Sequence, residues 1–365
     1  MSRSANPSPV AEMVERVTAC GLCVERVRVL PFDGQALAAT LPAAAPLLWP
    51  GQTPASSLSD LLLLDIETTH LSGAGATIFL VATARIEAER VTLRQTLARH
   101  PAEEAGLLAA LTEEARLGDQ PRLVTYNGRS FDARMLDERA TLHRQQAGFT
   151  TLPQWDLLDP VRAIYRGHLP SCRLADVESA VLGIRRTPDD VPGAEIPRWY
   201  FHWVRSGDGR FLNPLLRHNA QDVLSLIVLL RHLAGAVSGE ETSAPPLGLG
   251  RLWERAGRVP AAMEQYRAAR LRGDAASWEA TARLARLLKR TGQPALAVPL
   301  WEELAAAPGG GAALLELAKD REHRQRDYAG AEAATEELAA LGSVKDDVAH
   351  RLRRVRRKRS RAEAR

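Results

Sequence analysis

The sequence predicts an α/β domain with a mixed sheet flanked by helices, followed by an all-α domain. Strand-length apolar runs and helically spaced segments alternate between residues 56 and 235. After residue 247 the composition shifts to Ala, Leu, Arg and Glu, which favour helices. We expect an N-terminal extension and linker at 1–55, the α/β domain at 56–235, a linker at 236–246, helical repeats at 247–345 and a basic tail at 346–365.

The composition is that of a globular protein with room for two cores. The chain has 365 residues, of which 45% are hydrophobic and 25% charged. Its net charge of +4 includes eight Arg or Lys residues between Arg351 and Arg361, so the rest of the chain carries 40 basic and 44 acidic residues. No apolar run indicates a membrane span or a secretory signal, and three cysteines predict a cytoplasmic protein.

The order of the elements predicts the mixed sheet. The strand at 61–69 precedes two strands that a tight polar turn joins, and a helix separates these from the next strand. A further helix follows the Asn127-Gly128 break, and Asn213 and Pro214 are typical of a helix start. The predicted segments are strands at 77–86, 90–97 and 122–126, helices at 101–116, 131–143, 174–182 and 213–233, and a long irregular loop at 185–199.

The N-terminal 55 residues give a weaker signal. Cys20 and Cys23 have the spacing of half a zinc site or of a redox pair. No second pair follows, so two small residues in a turn are the favoured interpretation. The stretch 42–54 is rich in Pro and Ala and indicates a linker or a strap.

The strand at 61–69 carries the chemistry. Four leucines and an isoleucine predict burial on both faces, and Asp65 and Glu67, two residues apart, leave from the same face. Two buried carboxylates repel each other and lose their hydration. No Lys or Arg lies in this stretch, so we expect a bound divalent cation, and hard oxygen ligands suit Mg²⁺ or Mn²⁺.

Two further acids fall where they can join this pair. Asp132 opens the helix after Asn127-Gly128, and Asp222 lies on the long predicted helix with His218 four residues before it. Four carboxylates from three elements form a ligand set for two metal ions, which clamp the oxygens of an in-line phosphoryl displacement. A neutral His beside them can act as the general base.

Three segments resemble the motifs of the DEDD superfamily of 3′–5′ exonucleases, which have a ribonuclease-H-like fold. They are Asp65-Ile66-Glu67-Thr68-Thr69, Tyr126-Asn127-Gly128-Arg129-Ser130-Phe131-Asp132 and His218-Asn219-Ala220-Gln221-Asp222, in the order of the family. The chain is most similar to an uncharacterised bacterial group of exonuclease-like proteins with C-terminal tetratricopeptide repeats. Its members resemble the segments 182–186 and 189–193 as well.

The resemblance implies a metal-dependent nuclease. Asp65, Glu67, Asp132 and Asp222 would hold two Mg²⁺ or Mn²⁺ ions, and His218 would be the general base. The main subclasses place a Tyr four or a His five residues before the last Asp, whereas here a His stands four before it. The substrate would be single-stranded DNA or RNA, with contacts that we assign to Thr68, Asn127 and Arg129. Asn127 is equally consistent with a structural turn.

The C-terminal part repeats itself at about 34 residues. Gly257-Arg258-Val259-Pro260-Ala261-Ala262 is similar to Gly292-Gln293-Pro294-Ala295-Leu296-Ala297. A helix-turn-helix unit of roughly 34 residues is typical of tetratricopeptide repeats, and a plain helical bundle needs the same Ala and Leu spacing. Such repeats predict a protein partner.

A rival prediction is a catalytically silent module with the same fold that binds nucleic acid or protein. The full acid set argues against it, because four converging charges destabilise a fold that has no metal to hold. Endonuclease cleavage stays open beside exonuclease cleavage.

Overall fold

A computed structural model describes residues 12–70, 75–118, 120–341 and 346–364. Outside these ranges lie residues 1–11 of the predicted N-terminal extension, 71–74 of the predicted loop after the first strand, residue 119, residues 342–345 at the end of the predicted repeats and residue 365 of the basic tail. The chain divides into two compact units, Met1–Ala244 and Pro245–Arg365.

A seven-stranded mixed sheet organises the first unit, with the strand order β1-β2-β5-β4-β3-β6-β7. β3 pairs with β4 antiparallel and with β6 parallel, so β3 is central. The strands are β1 Val14–Thr18, β2 Gly21–Pro31, β3 Leu61–Thr68, β4 Ile78–Ile86, β5 Arg90–Leu97, β6 Arg122–Thr125 and β7 Gln154–Asp156.

Helices cover both faces of this sheet. One apolar cluster joins the sheet to α2 and α3, and a second joins it to α6 and α7. Tyr200 of α6 stacks on Phe79 of β4 at 4.0 Å between ring centroids and fixes α6 to the sheet. The helices are α1 Gln35–Leu48, α2 Glu104–Ala115, α3 Asp132–Leu142, α4 Leu158–Tyr165, α5 Leu174–Val177, α6 Ile196–Ser206 and α7 Gly209–Ser238.

The N-terminal residues differ from their prediction as an extension and linker. β1 and β2 form one edge of the sheet, and α1 spans most of the stretch that indicated a strap, with Pro42 and Pro46 inside the helix. Proline costs a helix hydrogen bond. Here α1 buries Leu37, Leu41 and Leu48, and this packing outweighs the local preference.

The hairpin of β1 and β2 contains both cysteines of the CxxC pair. Cys20 lies in the turn between β1 and β2 and is exposed, whereas Cys23 is buried on β2. Both thiols are free, and burial raises the pKa of Cys23 to about 12. A buried thiol held protonated suits neither zinc nor redox chemistry. The turn interpretation agrees with the structure for Cys20, whereas Cys23 lies on β2 instead.

Two helix boundaries also differ from their predictions. α7 begins at Gly209, where the Asp208 side chain accepts from the Arg210 N–H, so Pro214 lies inside the helix. α6 begins at Ile196, within the stretch expected to be irregular. α7 ends at Ser238 instead of Leu233; by length and composition it could cross a membrane, but 67% of its most apolar window is buried inside the protein.

The second unit is all-α, with turns that join its helices in the described residues. Consecutive helices pack on one another around a core that includes Tyr266, Trp301 and Leu317. The helices are α8 Pro246–Arg255, α9 Val259–Leu271, α10 Ala275–Arg290, α11 Pro294–Ala305, α12 Gly311–Asp320, α13 Tyr328–Ala340 and α14 Asp346–Glu363.

The basic tail is a helix that packs on this unit. α14 buries Val348 and Val355, and three of its cations bind one buried acid: Arg351 Nη1, Arg354 Nη2 and Lys358 Nζ lie 2.7, 2.7 and 2.9 Å from oxygens of Glu322. Five of the eight basic residues therefore have counter-ions on elements that precede α14 in the chain: Arg351, Arg354, Arg356, Lys358 and Arg359.

Candidate active site and metal centre

β3 presents two acids to the face of the sheet that α7 covers. The four leucines of β3 are buried, which fixes the strand in the centre of the domain. Asp65 then pairs with Ala82 of β4, and Ala82 pairs with Gln95 of β5, so these residues form one row across the sheet. A register shift follows between Glu67 and Thr68.

A polar side chain of α7 connects this row to the helix. Asn219 is fully buried, and its Nδ2 donates to Asp65 Oδ2 at 2.9 Å. Its Oδ1 accepts from Gln95 Nε2 at 3.3 Å, and the same Nε2 donates to the Leu216 carbonyl at 2.8 Å. These bonds hold α7 in register with β3 and orient the Asp65 carboxylate. His218 and Asp222, on the same helix, therefore lie at the same site.

The turn after β6 brings in the third acid. Asn127 has a φ of 65°, and a Cβ on Gly128 would lie 2.5 Å from the Thr125 side chain, so this tight turn needs glycine there. The buried Asp156 accepts the backbone N–H groups of Asn127 and Arg129 at 2.8 and 3.3 Å. α3 begins directly after this turn, and its first residue, Asp132, is buried.

The four acids interact electrostatically. Burial is the largest cause that raises the pKa of Asp65, and the charges of Asp222, Glu67 and Asp132 raise it further. Burial, then Asp222 and Asp132, likewise raise the pKa of Glu67. Asp132 has its pKa raised to about 7 by burial, although backbone hydrogen bonds, including one from Ile66, act against the rise. The site is thus a buried cluster of carboxylates with too little positive charge.

Arg186 brings a positive charge to the acids. Arg186 Nη2 lies 2.5 Å from Asp222 Oδ1, and its Nε lies 2.6 Å from Glu178 Oε2. Its third contact is Asp190 Oδ2, at 3.3 Å from Nη1. Burial raises the pKa of Asp222, while His218 and Arg186 oppose the rise.

His218 has two different neighbours at its two ring nitrogens. Nδ1 lies 2.9 Å from Asp190 Oδ1 and 3.2 Å from Arg186 Nη1. Nε2 lies 3.9 Å from Glu67 Oε1 and 3.7 Å from Asp222 Oδ2, on the side of the acids. A proton on Nδ1 that is donated to the Asp190 carboxylate leaves Nε2 free to accept one.

The donor set fits a hard divalent cation, because it offers four carboxylates and no thiolate. Within the part of the chain that the structure describes, no group of three or more His, Cys, Asp and Glu side chains is arranged to hold a metal ion as it stands. The Asp222 carboxylate is turned to Arg186. This ion pair engages Oδ1, whereas Oδ2 lies 3.7 Å from His218 Nε2, so Asp222 can ligate a cation through Oδ2 while the ion pair stays closed.

The predicted substrate contacts have partners within the protein. Thr68 Oγ1 donates to the His70 carbonyl at 2.9 Å, and Arg129 Nη2 lies 3.2 Å from Asp159 Oδ2. Asn127 contributes its strained backbone to the turn beside Asp132. All three residues lie on the two segments that carry the acids.

Sequence reasoning missed the residues that position the site. Asp190 and Arg186 lie in the two segments whose similarity to the bacterial group was noted, but nothing local pairs them with His218 and Asp222. The Asn219 contact with Asp65 spans 154 residues. For Asn219, the available signal was its place inside the third motif.

Three comparisons with known proteins agree with this architecture to different depths. Residues 62–234 match a family of the RNase_H superfamily. The uncharacterized protein YprB of Bacillus subtilis (strain 168) is 33% identical over 318 residues, which cover 82% of this chain and 75% of YprB.

Solved structures are more distant. The ExoI/SSB-Ct complex is 16% identical with a TM-score of 0.33, covering 49% of this chain and 42% of that chain. The family B DNA polymerase from Pyrobaculum calidifontis is 16% identical with a TM-score of 0.39, covering 56% of this chain and 28% of that chain. The chain thus spans less than half the length of either, and at these scores its site has to be judged on its own geometry. The chain belongs to the same family as YprB and carries an RNase H superfamily domain.

Proposed function

We propose that the chain is a metal-dependent nuclease that hydrolyses phosphodiester bonds, acting as a 3′–5′ exonuclease on single-stranded nucleic acid. One observation carries the proposal: Asp65, Glu67, Asp132 and Asp222 converge from three elements into a buried cluster, in which the charge of Asp222 raises the pKa of the other three. Such a cluster is costly unless a cation completes it.

In this proposal the four carboxylates bind two Mg²⁺ or Mn²⁺ ions. When bound, such ions stabilise the attacking and leaving oxygens of an in-line displacement at phosphorus. Asn219 holds the Asp65 carboxylate in orientation through the 2.9 Å hydrogen bond. The Asp156 contacts keep the turn before Asp132 in place.

His218 is the general base of the proposed reaction. Asp190 holds the proton on Nδ1 and stabilises the imidazolium that forms when Nε2 accepts a proton from the attacking water. His218 lies one turn before Asp222 on α7, so the base and a ligand are held by one rigid element. Thr68, Asn127 and Arg129 contact the substrate in this proposal.

The helical unit supplies a separate role in the proposal. Its stacked helices form tetratricopeptide-like repeats that bind a protein partner or position the strand. The substrate class is a single strand of DNA or RNA, and the sugar is decided by experiment.

The test is degradation of 5′-labelled single-stranded DNA and RNA with Mn²⁺, with Mg²⁺ and with EDTA. A ladder that depends on metal and is lost in Asp222→Asn supports the proposal and identifies the sugar. Glu89→Gln is the matched control, since Glu89 is an exposed acid in the turn between β4 and β5. Binding without cleavage in any metal would favour a silent binding module instead.

A further inference from the structure

A cationic cavity lies next to the turn that leads into Asp132. It has a volume of about 670 Å³ and is lined by Tyr126 and Asn127 on one side and by residues 162–174 on the other. Three of its lining residues are arginines: Arg162, Arg166 and Arg173. The volume is in the range of ligand sites, although the lining is more polar than is usual for a drug-like ligand.

The cavity is formed by ordered contacts. The Tyr126 hydroxyl donates to the Cys172 carbonyl at 2.6 Å, which fastens the loop between α4 and α5 to the end of β6. Ser171 Oγ bonds the Asp176 carboxylate and also accepts from the Arg173 N–H at 3.1 Å. These contacts therefore fix the position of the loop relative to the turn that leads into Asp132.

Its positive charge is not used within the protein. In the ranges that the structure describes, the side chains of Arg162, Arg166 and Arg173 have neither a hydrogen bond nor an ion pair, and all three are exposed. The nearby acids are already engaged, Asp159 by Arg129 at 3.2 Å and Asp176 by Ser171. Three guanidinium groups around one cavity repel one another unless an anion lies between them.

We infer that this cavity binds the phosphate backbone of the substrate strand on the 5′ side of the bond that is cut. The inference rests on the proposed function, since a 3′–5′ exonuclease holds at its site the 3′ end of a strand whose remainder lies 5′ to it. Asn127 lines the cavity and lies five residues before Asp132, so a strand whose end reaches the acids passes this opening. Arginine pairs well with phosphate, and three such contacts suit a strand rather than a mononucleotide.

The experiment measures strand binding, which does not require turnover. The variant Arg162→Ala/Arg166→Ala/Arg173→Ala is compared with wild type by fluorescence anisotropy of a labelled 12-nucleotide strand in EDTA, at several salt concentrations. Loss of three phosphate contacts should make the slope of log K against log salt less negative by about 2. When salt rises from 50 to 200 mM, the factor by which affinity falls should therefore be roughly 20 times smaller for the variant than for wild type. We expect at least tenfold weaker binding at low salt.

Two variants control for folding and for unspecific charge. The triple Arg→Lys variant keeps the charges and should retain most of the affinity. Arg28→Ala removes an exposed arginine on β2, four strands from β6, and should bind as wild type does. Wild-type affinity and salt slope in the triple Ala variant would overturn the inference.

Hydrolysis of the p-nitrophenyl ester of thymidine 5′-monophosphate separates this inference from the proposed function. The ester has no strand to fill the cavity, so the triple Ala variant should hydrolyse it at the wild-type rate with metal present. If wild type does not hydrolyse the ester or any strand, the proposed function fails, while the anisotropy result still decides whether the cavity binds a strand.

Discussion

Replacing Asp65 by Asn should stabilise the metal-free protein and abolish its stabilisation by metal. Asp65 is buried among Glu67, Asp132 and Asp222, and its charge is unfavourable there. Asn has the same shape, and its carbonyl oxygen can still accept the hydrogen bond from Asn219. The substitution therefore removes one charge with little change in packing, and the melting temperature of the metal-free first unit should rise.

The size of the metal effect follows from linkage. A ligand that binds only the folded state at 100 times its Kd stabilises that state by about 2.7 kcal/mol. For a unit of this length, Met1–Ala244, each kcal/mol shifts the melting temperature by roughly 2–4 °C. Wild type should therefore gain about 5–10 °C with saturating Mn²⁺, and Asp65→Asn should lose most of this gain.

Differential scanning calorimetry with Mn²⁺ and with EDTA measures both effects on one sample. Asp159→Asn is the control, because it removes a carboxylate at the surface and should keep the full metal shift. The reasoning is refuted if Asp65→Asn keeps the shift. It is also refuted if the variant melts several degrees lower than wild type in EDTA, since the Asp65 charge would then stabilise the metal-free fold.

Three further predictions address the base, the counter-ion and the C-terminal helix. His218→Ala should lower the rate of strand cleavage by about 10²–10⁴-fold while the calorimetric metal shift persists, because no carboxylate is lost. Arg186→Gln should tighten Mn²⁺ binding in isothermal titration by about tenfold, since a cation leaves the site, whereas the exposed Arg185→Gln should leave the Kd unchanged. Glu322→Gln should destabilise the second unit by about 3 kcal/mol in urea unfolding, against less than about 1 for the half-exposed Glu336→Gln. Burial alone would raise the pKa of Glu322, but hydrogen bonds from Arg354 and Lys358 lower it from 4.5 to about 2. The stabilisation by the Glu322 carboxylate is therefore complete above pH 4.5 and is lost as the pH falls towards 2.

Local pattern predicted the centre of the first unit. β3, β4 and β5 occupy the expected positions. Their short apolar or alternating sequences favour strands over helices. The Asn127-Gly128 turn specifies the start of α3 because the backbone conformation there needs these residues. The two segments that carry Asp65, Glu67 and Asp132 could thus be read from short stretches.

Non-local contacts decided the elements that the sequence left open. β1 and β2 expose Val14, Val17 and Val27, so burial gives them no clear period, and their assignment depends on pairing with β5. α1 is a helix because of what its apolar face packs on, in spite of two prolines. Sequence reasoning about single segments has no access to either cause.

The contact between Arg186 and Asp222 links the fold to the proposed chemistry. A cluster of buried carboxylates needs some positive charge nearby to be stable before a cation binds. If arginines neutralised all four acids, none would be left to ligate the cation. Arg186 forms an ion pair with Asp222, lowers the pKa of Glu67 through its charge, and shares its guanidinium with Glu178 and Asp190. Glu178 is buried and also accepts from Ser225, so it anchors the guanidinium independently of Asp222. For Asp65 and Glu67, burial and the neighbouring acids raise the pKa more than Asn219 and Arg186 lower it, and this excess of negative charge favours a divalent cation at this position.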